Sequence, residues 1–167
     1  MKKPLSPHRP HSLAPIPYVA GVDYDVLDEL LGYSLRRAQV AMFLAFDKAT
    51  GGQHSATSGR DMTPPRFTSL VLIGANPGIS QSALGEVLGI ARSGAMTLVD
   101  WMEGRGLVER RKRSDDARTW GLHLTAAGDK FVRSMKRRVV DEDHARAATL
   151  STRERGELLR LLAKLAG

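Results

Sequence analysis

Residues 78–110 read GISQSALGEVLGIARSGAMTLVDWMEGRGLVER, and this stretch contains the signals of two short helices joined by a tight turn. Ser80 is a favourable N-cap for the first helix, and Gly89 ends it because glycine adopts the left-handed conformation at low cost. A second helix is predicted over about residues 92–103. Its buried side is predicted from residues spaced three apart: Met96, Val99 and Met102. Helix, tight turn and helix in this order predict a helix-turn-helix.

The residues after the second helix change from helical to strand-like spacing. Residues 107–112 and 119–124 are two short runs, separated by a Ser-Asp-Asp turn signal at 114–116. In the second run, every other residue is large and apolar, which is typical of a half-buried strand: Trp120, Leu122 and Leu124. Two strands joined by a basic loop directly after a helix-turn-helix predict a wing.

Helical patterns flank this region on both sides. Apolar residues at helical spacing predict a long amphipathic helix over about residues 24–48. Thr63, followed by proline, marks the start of another helix, which ends at the Asn-Pro-Gly turn of residues 76–78. Thr125 can cap a long basic helix, and residues 151–154 form a capping box for a last one. The sequence therefore predicts a mainly α fold with a small β wing (α+β).

Five of the eight prolines lie in residues 1–22, which we predict to be an extended arm because proline interrupts helices. The rest of the chain is predicted to form one domain, residues 23–167. Within it, a winged helix-turn-helix covers about 63–125, and helical segments flank it at about 24–48 and 126–167.

Positive charge is concentrated in one part of the chain. Of 25 basic and 18 acidic residues in total, residues 101–140 contain 11 basic and 5 acidic ones, a net charge of +6. A localised charge of this kind favours a polyanionic partner such as nucleic acid. The apolar runs are far shorter than the ~18–20 residues that span a bilayer, so no membrane partner is expected. The absence of cysteine excludes disulfides and thiolate chemistry, and it is compatible with the cytoplasm, where we expect the protein.

The sequence lacks the motifs of catalysis and metal binding. Neither a GxSxG nucleophile motif nor the GK[ST] ending of a phosphate-binding loop occurs, so no catalytic residue is assigned. The five histidines are scattered, without an HExxH pair, and neither a metal nor a cofactor is predicted. We therefore expect a binding protein rather than an enzyme.

Four phrases at their observed spacings resemble the multiple-antibiotic-resistance regulator (MarR) family of bacterial transcription factors: TPPRFTSLVLI (63–73), the stretch 78–110, DAR (116–118) and LTAAG (124–128). The resemblance implies a triangular homodimer with two winged helix-turn-helix lobes. It also implies that the first and the last two helices form the dimer interface. The segment LLGYSLRRAQVAMF (30–43) is similar to the opening helix of family members that regulate aromatic-acid catabolism.

The resemblance implies a ligand-responsive regulator, which we expect to be a repressor that binds double-stranded DNA at a palindromic operator. In a helix-turn-helix, the N-terminal end of the second helix enters the major groove. At that end Arg92 can pair with guanine, Gly94 permits close approach, and Thr97 offers a methyl group and a hydroxyl. The residues predicted to contact DNA are Ser80, Gln81, Ser82, Arg92, Ser93, Gly94, Thr97, Arg110, Lys112, Arg113, Asp116 and Arg118.

Several of these assignments have alternatives. By the family pattern Asp116 orients Arg118, which enters the minor groove or holds a phosphate, but a turn aspartate that bonds its own backbone is also compatible. Ser93 and Thr97 are compatible with solvated helix positions. Ser80 and its two neighbours lie at a helix N-terminus, where N–H groups suit a phosphate and where simple capping also occurs.

Many members of the family leave DNA when a small molecule binds between the dimer region and the DNA-binding lobe. Arginine beside aromatic rings suits an aromatic carboxylate, so we expect an aromatic acid or its coenzyme A thioester as the effector. The predicted ligand-binding residues are Tyr33, Arg36, Arg37, Phe43, Phe46, Arg66, Phe67 and Trp101. For the three phenylalanines among them, a place in the core is the alternative.

A second basic cluster lies in residues 133–138. A solvated face, acidic residues of a dimer mate, or an anionic ligand such as the thioester phosphates would each account for it. A competing function for the whole chain is that of a MarR-fold dimer without an operator of its own, acting as an interaction module or anti-regulator. The intact basic wing argues against that function.

Overall fold

The structure of the protein, a computed structural model, describes residues 16–51, 62–112 and 120–167. The chain divides into an N-terminal unit that ends at Leu44 and a C-terminal unit that runs from Ala45 to Gly167. A short 3-10 helix, Asp25–Glu29, precedes the first α-helix. The other elements are α1 (Leu31–Thr50), α2 (Pro64–Ala75), α3 (Gln81–Leu88), α4 (Arg92–Gly104), β1 (Val108–Lys112), β2 (Trp120–Leu124), α5 (Ala126–Arg146) and α6 (Thr152–Ala166). The predicted α+β fold with a small wing is confirmed.

The predicted helix over about residues 24–48 is wrong at its N-terminal end. Leu30 is extended, with φ −84° and ψ 116°, so the backbone leaves the helical path between the 3-10 turn and α1. Asp25 has a left-handed φ of 46°, and its N–H donates to the carboxylate of Asp23 at 2.9 Å. This local bonding lets the chain turn where apolar spacing alone predicts a continuous helix. At the other end, α1 continues to Thr50.

The two helices of the predicted helix-turn-helix are α3 and α4. The Ser80 hydroxyl accepts the N–H of Ala83 at 3.1 Å, and Gly89 has the expected left-handed φ of 63°. Gly85 is buried where α3 and α4 approach each other. A Cβ added to Gly85 would lie only 3.3 Å from the Cβ of Ala95, so the close approach depends on glycine at this position. Local capping and one small residue therefore set the α3–α4 geometry.

The buried side of α4 differs from the predicted one at one position. Ala95, Val99 and Met102 are buried, whereas Met96 is 51% exposed. Met96 was predicted to be buried because large apolar residues recur three positions apart. Instead Ala95 faces α3, since the contact with Gly85 leaves room only for a methyl group. The fully buried side chains of the C-terminal unit include Leu70, Ile73, Leu84, Val99, Met102 and Leu122.

The wing is an antiparallel pair in which Val108 lies opposite Leu124 and Lys112 opposite Trp120. An isolated bridge between Ile79 and Leu122 adds the chain before α3 to this pair. The expected alternation along β2 is wrong at its start, since Trp120 is 51% exposed and Gly121 is buried. A Cβ on Gly121 would lie 2.8 Å from the Cα of Gly78, so the bridge requires glycine on the inner side.

The LTAAG motif forms the junction between the wing and α5. The Thr125 hydroxyl accepts the N–H of Gly128 at 2.9 Å and donates to the carbonyl of Gly106 at 2.6 Å. The N–H of Thr125 donates to the carbonyl of Leu107 at 3.1 Å. Gly128 is buried against that carbonyl, where a Cβ would overlap the oxygen. One threonine thus caps α5 and fastens it to the start of β1.

Helix α6 has the predicted capping box: the N–H of Glu154 donates to the Ser151 hydroxyl at 3.3 Å, and the N–H of Ser151 donates to the Glu154 carboxylate at 2.8 Å. The Ser151 hydroxyl also donates to that carboxylate, at 2.6 Å. The two bonds to the carboxylate lower the pKa of Glu154. No α6 residue is buried within the described part of the chain. Its large apolar side chains are 37–58% exposed: Leu158, Leu159, Leu161, Leu162 and Leu165. Among the described helices, none is both long and apolar enough to cross a membrane.

Candidate nucleic-acid interface

The N-terminal end of α4 presents an exposed polar face. Arg92, Ser93 and Thr97 are exposed, and Ala91 at the N-cap position has no side chain that could cap the helix. Gly94 is half-buried, and a Cβ there would make an ordinary contact with Ile90 at 3.7 Å. The four residues predicted on α4 thus lie on or beside one solvent-facing turn. Such a face can enter a major groove without rearrangement of the core.

The hydroxyl of Thr97 is engaged within α4. It donates to the carbonyl of Ser93 at 3.0 Å, which is the i−4 bond common for threonine in helices. Because the hydroxyl proton is used there, the oxygen can act toward a base only as an acceptor. Thr97 is therefore suited to an amino group or to contact with a thymine methyl.

Met96 belongs to the same exposed face, and the sequence analysis missed it. Its side chain lies one position from Thr97 and three from Ser93, on a surface that is otherwise polar. Its apolar character favoured a buried position. The 3.6-residue helical period, counted back from Val99 and Met102, instead places residue 95 on the buried side, so counting alanine as apolar would have predicted that Met96 is exposed.

The predicted phosphate-binding residues at the start of α3 have different surroundings. Ser82 is exposed, whereas Ser80 caps the helix and Gln81 is half-buried. The side-chain oxygen of Gln81 accepts a hydrogen bond from Arg110 at 3.3 Å. Of these three side chains, that of Ser82 is the most open to a duplex.

Arg110 on β1 has three partners within the same unit. Its guanidinium lies 2.7 Å from a carboxylate oxygen of Glu103 and 3.1 Å from one of Asp100, in addition to the contact with Gln81. The Arg110 side chain is only 34% exposed. A residue predicted to contact DNA thus connects β1, α3 and α4.

The remaining wing residues are only partly described. Lys112 is exposed at the end of β1, and the Nε of Arg111 donates to Glu109 at 3.0 Å. The predicted DNA contacts of Arg113, Asp116 and Arg118 lie outside the described residues.

The C-terminal unit contains a cavity of about 390 Å³ beside the end of α4. Its wall includes Trp101 from α4, Arg105 directly after α4, and Phe131, Met135 and Arg138 from α5. Both Arg66 and Arg105 stack on the Trp101 ring, with guanidinium carbons 4.2 and 4.4 Å from its centroid. Aromatic walls beside guanidinium groups can hold a flat acid.

The other predicted ligand-binding residues divide between the core of the C-terminal unit and the N-terminal unit. Phe46 and Phe67 pack on the core with ring centroids 5.7 Å apart, which is the alternative left open by their spacing. The N-terminal unit contains Tyr33, Arg36, Arg37 and Phe43.

Arg37 has its own environment within the N-terminal unit. Its guanidinium lies 3.5 Å from the ring centroid of Tyr18 and 5.8 Å from that of Tyr33, and it donates to the carbonyl of Ile16 at 3.2 Å. The Tyr18 hydroxyl donates to Asp28 at 2.7 Å, and this bond raises the pKa of the tyrosine. Arg37 thus secures the segment before α1.

The basic cluster on α5 is exposed, and part of it has acidic partners. Arg133 pairs with Asp129 one turn earlier, while Lys136, Arg137 and Arg138 are exposed. Arg138 also belongs to the cavity wall. Among the described residues, no group of three or more acidic or histidine side chains could hold a metal ion.

Comparisons with known proteins identify the family. A family model described as the MarR family matches residues 60–119. A putative transcriptional regulatory protein for the hcr operon of Thauera aromatica is 35% identical over 135 residues, which cover 81% of this chain and 78% of the relative. The chain belongs to the MarR family. It is a transcriptional regulator rather than an enzyme, as the sequence predicted.

Solved structures of MarR-type regulators share this fold. The CouR repressor bound to a 23-mer DNA duplex is 34% identical with a TM-score of 0.77, and the match covers 87% of this chain and 99% of CouR. CouR bound to p-coumaroyl-CoA gives 33% identity and a TM-score of 0.72, over 87% of this chain and 97% of CouR. PcaV from Streptomyces coelicolor, in complex with its natural ligand, is 26% identical with a TM-score of 0.71, over 89% and 97% of the two chains.

Proposed function

We propose that this MarR-family chain is a homodimeric cytoplasmic repressor that binds a palindromic operator and is released by an aromatic acid or its coenzyme A thioester. The observation that carries the DNA-binding part is the exposed N-terminal face of α4, with Arg92, Ser93 and Thr97 together on it. The similarity to CouR, which has been solved on a DNA duplex, supports DNA binding by this chain.

The proposed contacts divide into base reading and phosphate binding. Arg92 pairs with a guanine through both of its terminal nitrogens, while Ser93 and Thr97 contact neighbouring base edges. Ser82 and Lys112, which are exposed on α3 and β1, hold phosphates and set the register. Arg113, Asp116 and Arg118 are proposed for the wing contact on the basis of the sequence resemblance.

A second copy of the chain is the proposed partner of α6. Its leucines are largely exposed, and complete burial of one leucine contributes about 1.5–3 kcal/mol. Two-fold symmetry then requires half-sites about 10 base pairs apart, centre to centre. Sedimentation analysis tests this assembly: we expect a dimer for the wild-type chain and monomers for Leu162→Glu. A wild-type chain that stays monomeric at micromolar concentration would refute it.

The cavity beside Trp101 is the proposed effector site. Its volume of about 390 Å³ is within the range of about 300–1,000 Å³ of small-molecule sites. Trp101 and Phe131 would bury the aromatic ring, and Arg105 or Arg138 would bind the carboxylate or thioester carbonyl. Exposed Lys136 and Arg137, next to Arg138, would meet the phosphates of a thioester. CouR, which has been solved with p-coumaroyl-CoA, supports this ligand class.

Release from DNA requires that the effector prefer a conformation that fits DNA poorly, because a ligand shifts an equilibrium only by its differential affinity. Titration calorimetry with an aromatic acid, its thioester and free coenzyme A tests the ligand class. We expect heat from the acid or thioester that is lost in Trp101→Ala. The absence of binding to every aromatic acid and thioester tested would remove this part of the proposal.

Selection of sheared genomic DNA by the purified protein over a salt series tests the operator. We expect a short palindrome to be enriched at moderate salt, because base contacts add to the salt-dependent phosphate term. Uniform recovery of all DNA that disappears as salt rises would show binding to the phosphate backbone only. That result would contradict a specific repressor and favour the competing interaction module.

A further inference from the structure

Arg110 is half-buried and contacts polar groups of three elements of the protein. Glu103 and Asp100 of α4 lie 2.7 and 3.1 Å from its guanidinium, and Gln81 of α3 lies 3.3 Å away. With 34% of its side chain exposed, Arg110 connects three elements that each contribute to the proposed DNA surface. These three contacts engage both terminal nitrogens of the guanidinium and leave at most two of its five N–H donors for a phosphate.

We propose that Arg110 is a positioning residue that fixes the angle of the recognition helix α4 against the wing and α3, and that it acts through Glu103 and Asp100 rather than through DNA. This inference rests on the proposed function, since it concerns how α4 is held for base reading.

The charges on α4 give a second reason for the arrangement. Asp100 is 57% exposed, one turn after Thr97 on the same helix, where an unpaired carboxylate would repel DNA phosphates. Arg110 offsets one of the two negative charges of Asp100 and Glu103, the latter 27% exposed. The pairing therefore orients the helix and reduces the electrostatic penalty at the same site.

A positioning residue and a phosphate contact have different effects on specificity. Misalignment of α4 weakens base contacts and leaves backbone binding nearly unchanged, so it reduces the ratio of operator affinity to non-specific affinity. Loss of a phosphate contact weakens binding to all sequences about equally and lowers the salt slope by about one. Dissociation constants on the selected operator and on an unrelated duplex of equal length separate these two roles.

The first experiment compares Arg110→Gln with Lys112→Gln, a matched loss of one cation two residues along the same strand. We expect Arg110→Gln to weaken operator binding about tenfold or more while non-specific binding changes less than about threefold. We expect Lys112→Gln to weaken both about equally. Equal weakening by Arg110→Gln on both duplexes would overturn the inference and return Arg110 to a phosphate contact.

A charge exchange gives an independent test at constant net charge. We expect the double variant Arg110→Glu with Glu103→Arg to recover most of the operator preference that each single variant loses. A double variant as poor as Arg110→Glu alone would contradict positioning, because a glutamate at 110 would still repel a phosphate.

Melting temperatures without DNA test the coupling between residues 103 and 110 independently of operator binding. The four proteins are the wild type, the two single variants and the double variant. We expect the double variant to lose less stability than the sum of the losses in the two single variants. Additive effects would show that the two residues are not coupled and would overturn the inference. Wild-type protein without operator preference would refute the proposed function. The comparison of melting temperatures would still show whether residues 103 and 110 are coupled.

Discussion

Replacement of Gly128 by alanine tests the junction between the wing and α5 by the sign of its effect. Glycine in a helix usually costs up to about 1 kcal/mol relative to alanine, so helix propensity alone predicts that Gly128→Ala stabilises the protein. The structure predicts the opposite, because the added methyl group would overlap the carbonyl of Leu107. That carbonyl is fixed in place by the N–H of Thr125 at 3.1 Å.

The expected loss follows from what must give way. Forcing a methyl group into a packed site costs about 1–3 kcal/mol. Displacement of the Leu107 carbonyl also weakens its bond with Thr125, which contributes about 1 kcal/mol. After subtraction of the propensity gain, we expect Gly128→Ala to lower the free energy of unfolding by about 1–3 kcal/mol. For a chain of this size, the melting temperature should fall by about 2–4 °C per kcal/mol.

Urea unfolding followed by circular dichroism measures this difference. All variants are compared at one protomer concentration, because the stability of a dimer depends on concentration. Gly104→Ala is the matched control: Gly104 lies in α4, and a Cβ there would meet nothing within 4 Å among the described atoms. We expect the control to be neutral or slightly stabilising. If Gly128→Ala were as stable as Gly104→Ala, the close packing at the junction would be disproved.

Three further substitutions test the DNA surface, the cavity and a helix cap. Arg92→Ala should cost about 1–3 kcal/mol in operator binding and relax discrimination at one base pair, which a scan of single-base operator variants measures; equal weakening on all DNA would limit Arg92 to a phosphate. Arg137→Ala, one residue from the cavity wall, should raise the dissociation constant of a coenzyme A thioester more than that of the free acid in calorimetry, and equal effects would contradict phosphate binding on α5. The pKa of Glu154 is lowered in the folded state, so its stabilising effect is complete above the unfolded pKa and is lost as pH falls through the folded one. Glu154→Gln should therefore be less stable than wild type at pH 7 in urea unfolding, and the gap should close as pH falls through the folded-state pKa of Glu154; a gap independent of pH would argue against the capping box.

Local chemistry made most of the fold predictable from sequence. Ser80, Gly89 and Thr125 each act within a few residues, and their capping and turn roles are confirmed. The break at Leu30 was not predictable from spacing, since the same apolar residues fit a continuous helix. Nor does spacing register the turn at Asp25, which has a left-handed φ and donates its N–H to the Asp23 carboxylate.

The errors in the predicted surface arise from contacts between distant segments. Met96 and Trp120 are exposed because Ala95 and Gly121, their small neighbours, face Gly85 and Gly78. Small residues carry little weight in apolar periodicity, yet they decide which side of an element approaches its neighbour. The partners of Arg110 likewise depend on three elements meeting, and no spacing rule connects residues 81, 103 and 110.

Helix α4 carries the proposed reading residue Arg92 at one end and the cavity wall residue Trp101 near the other. Their separation of nine residues corresponds to about 13.5 Å at about 1.5 Å per residue. For a rigid rod of this length, a tilt of about 5° at the Trp101 end moves the other end by about 1.2 Å, which is more than the distance window of a hydrogen bond. Under the proposed function the helix would act as a lever arm: an effector that shifted the indole slightly would move Arg92 out of register with its base, with no chain of intermediate residues.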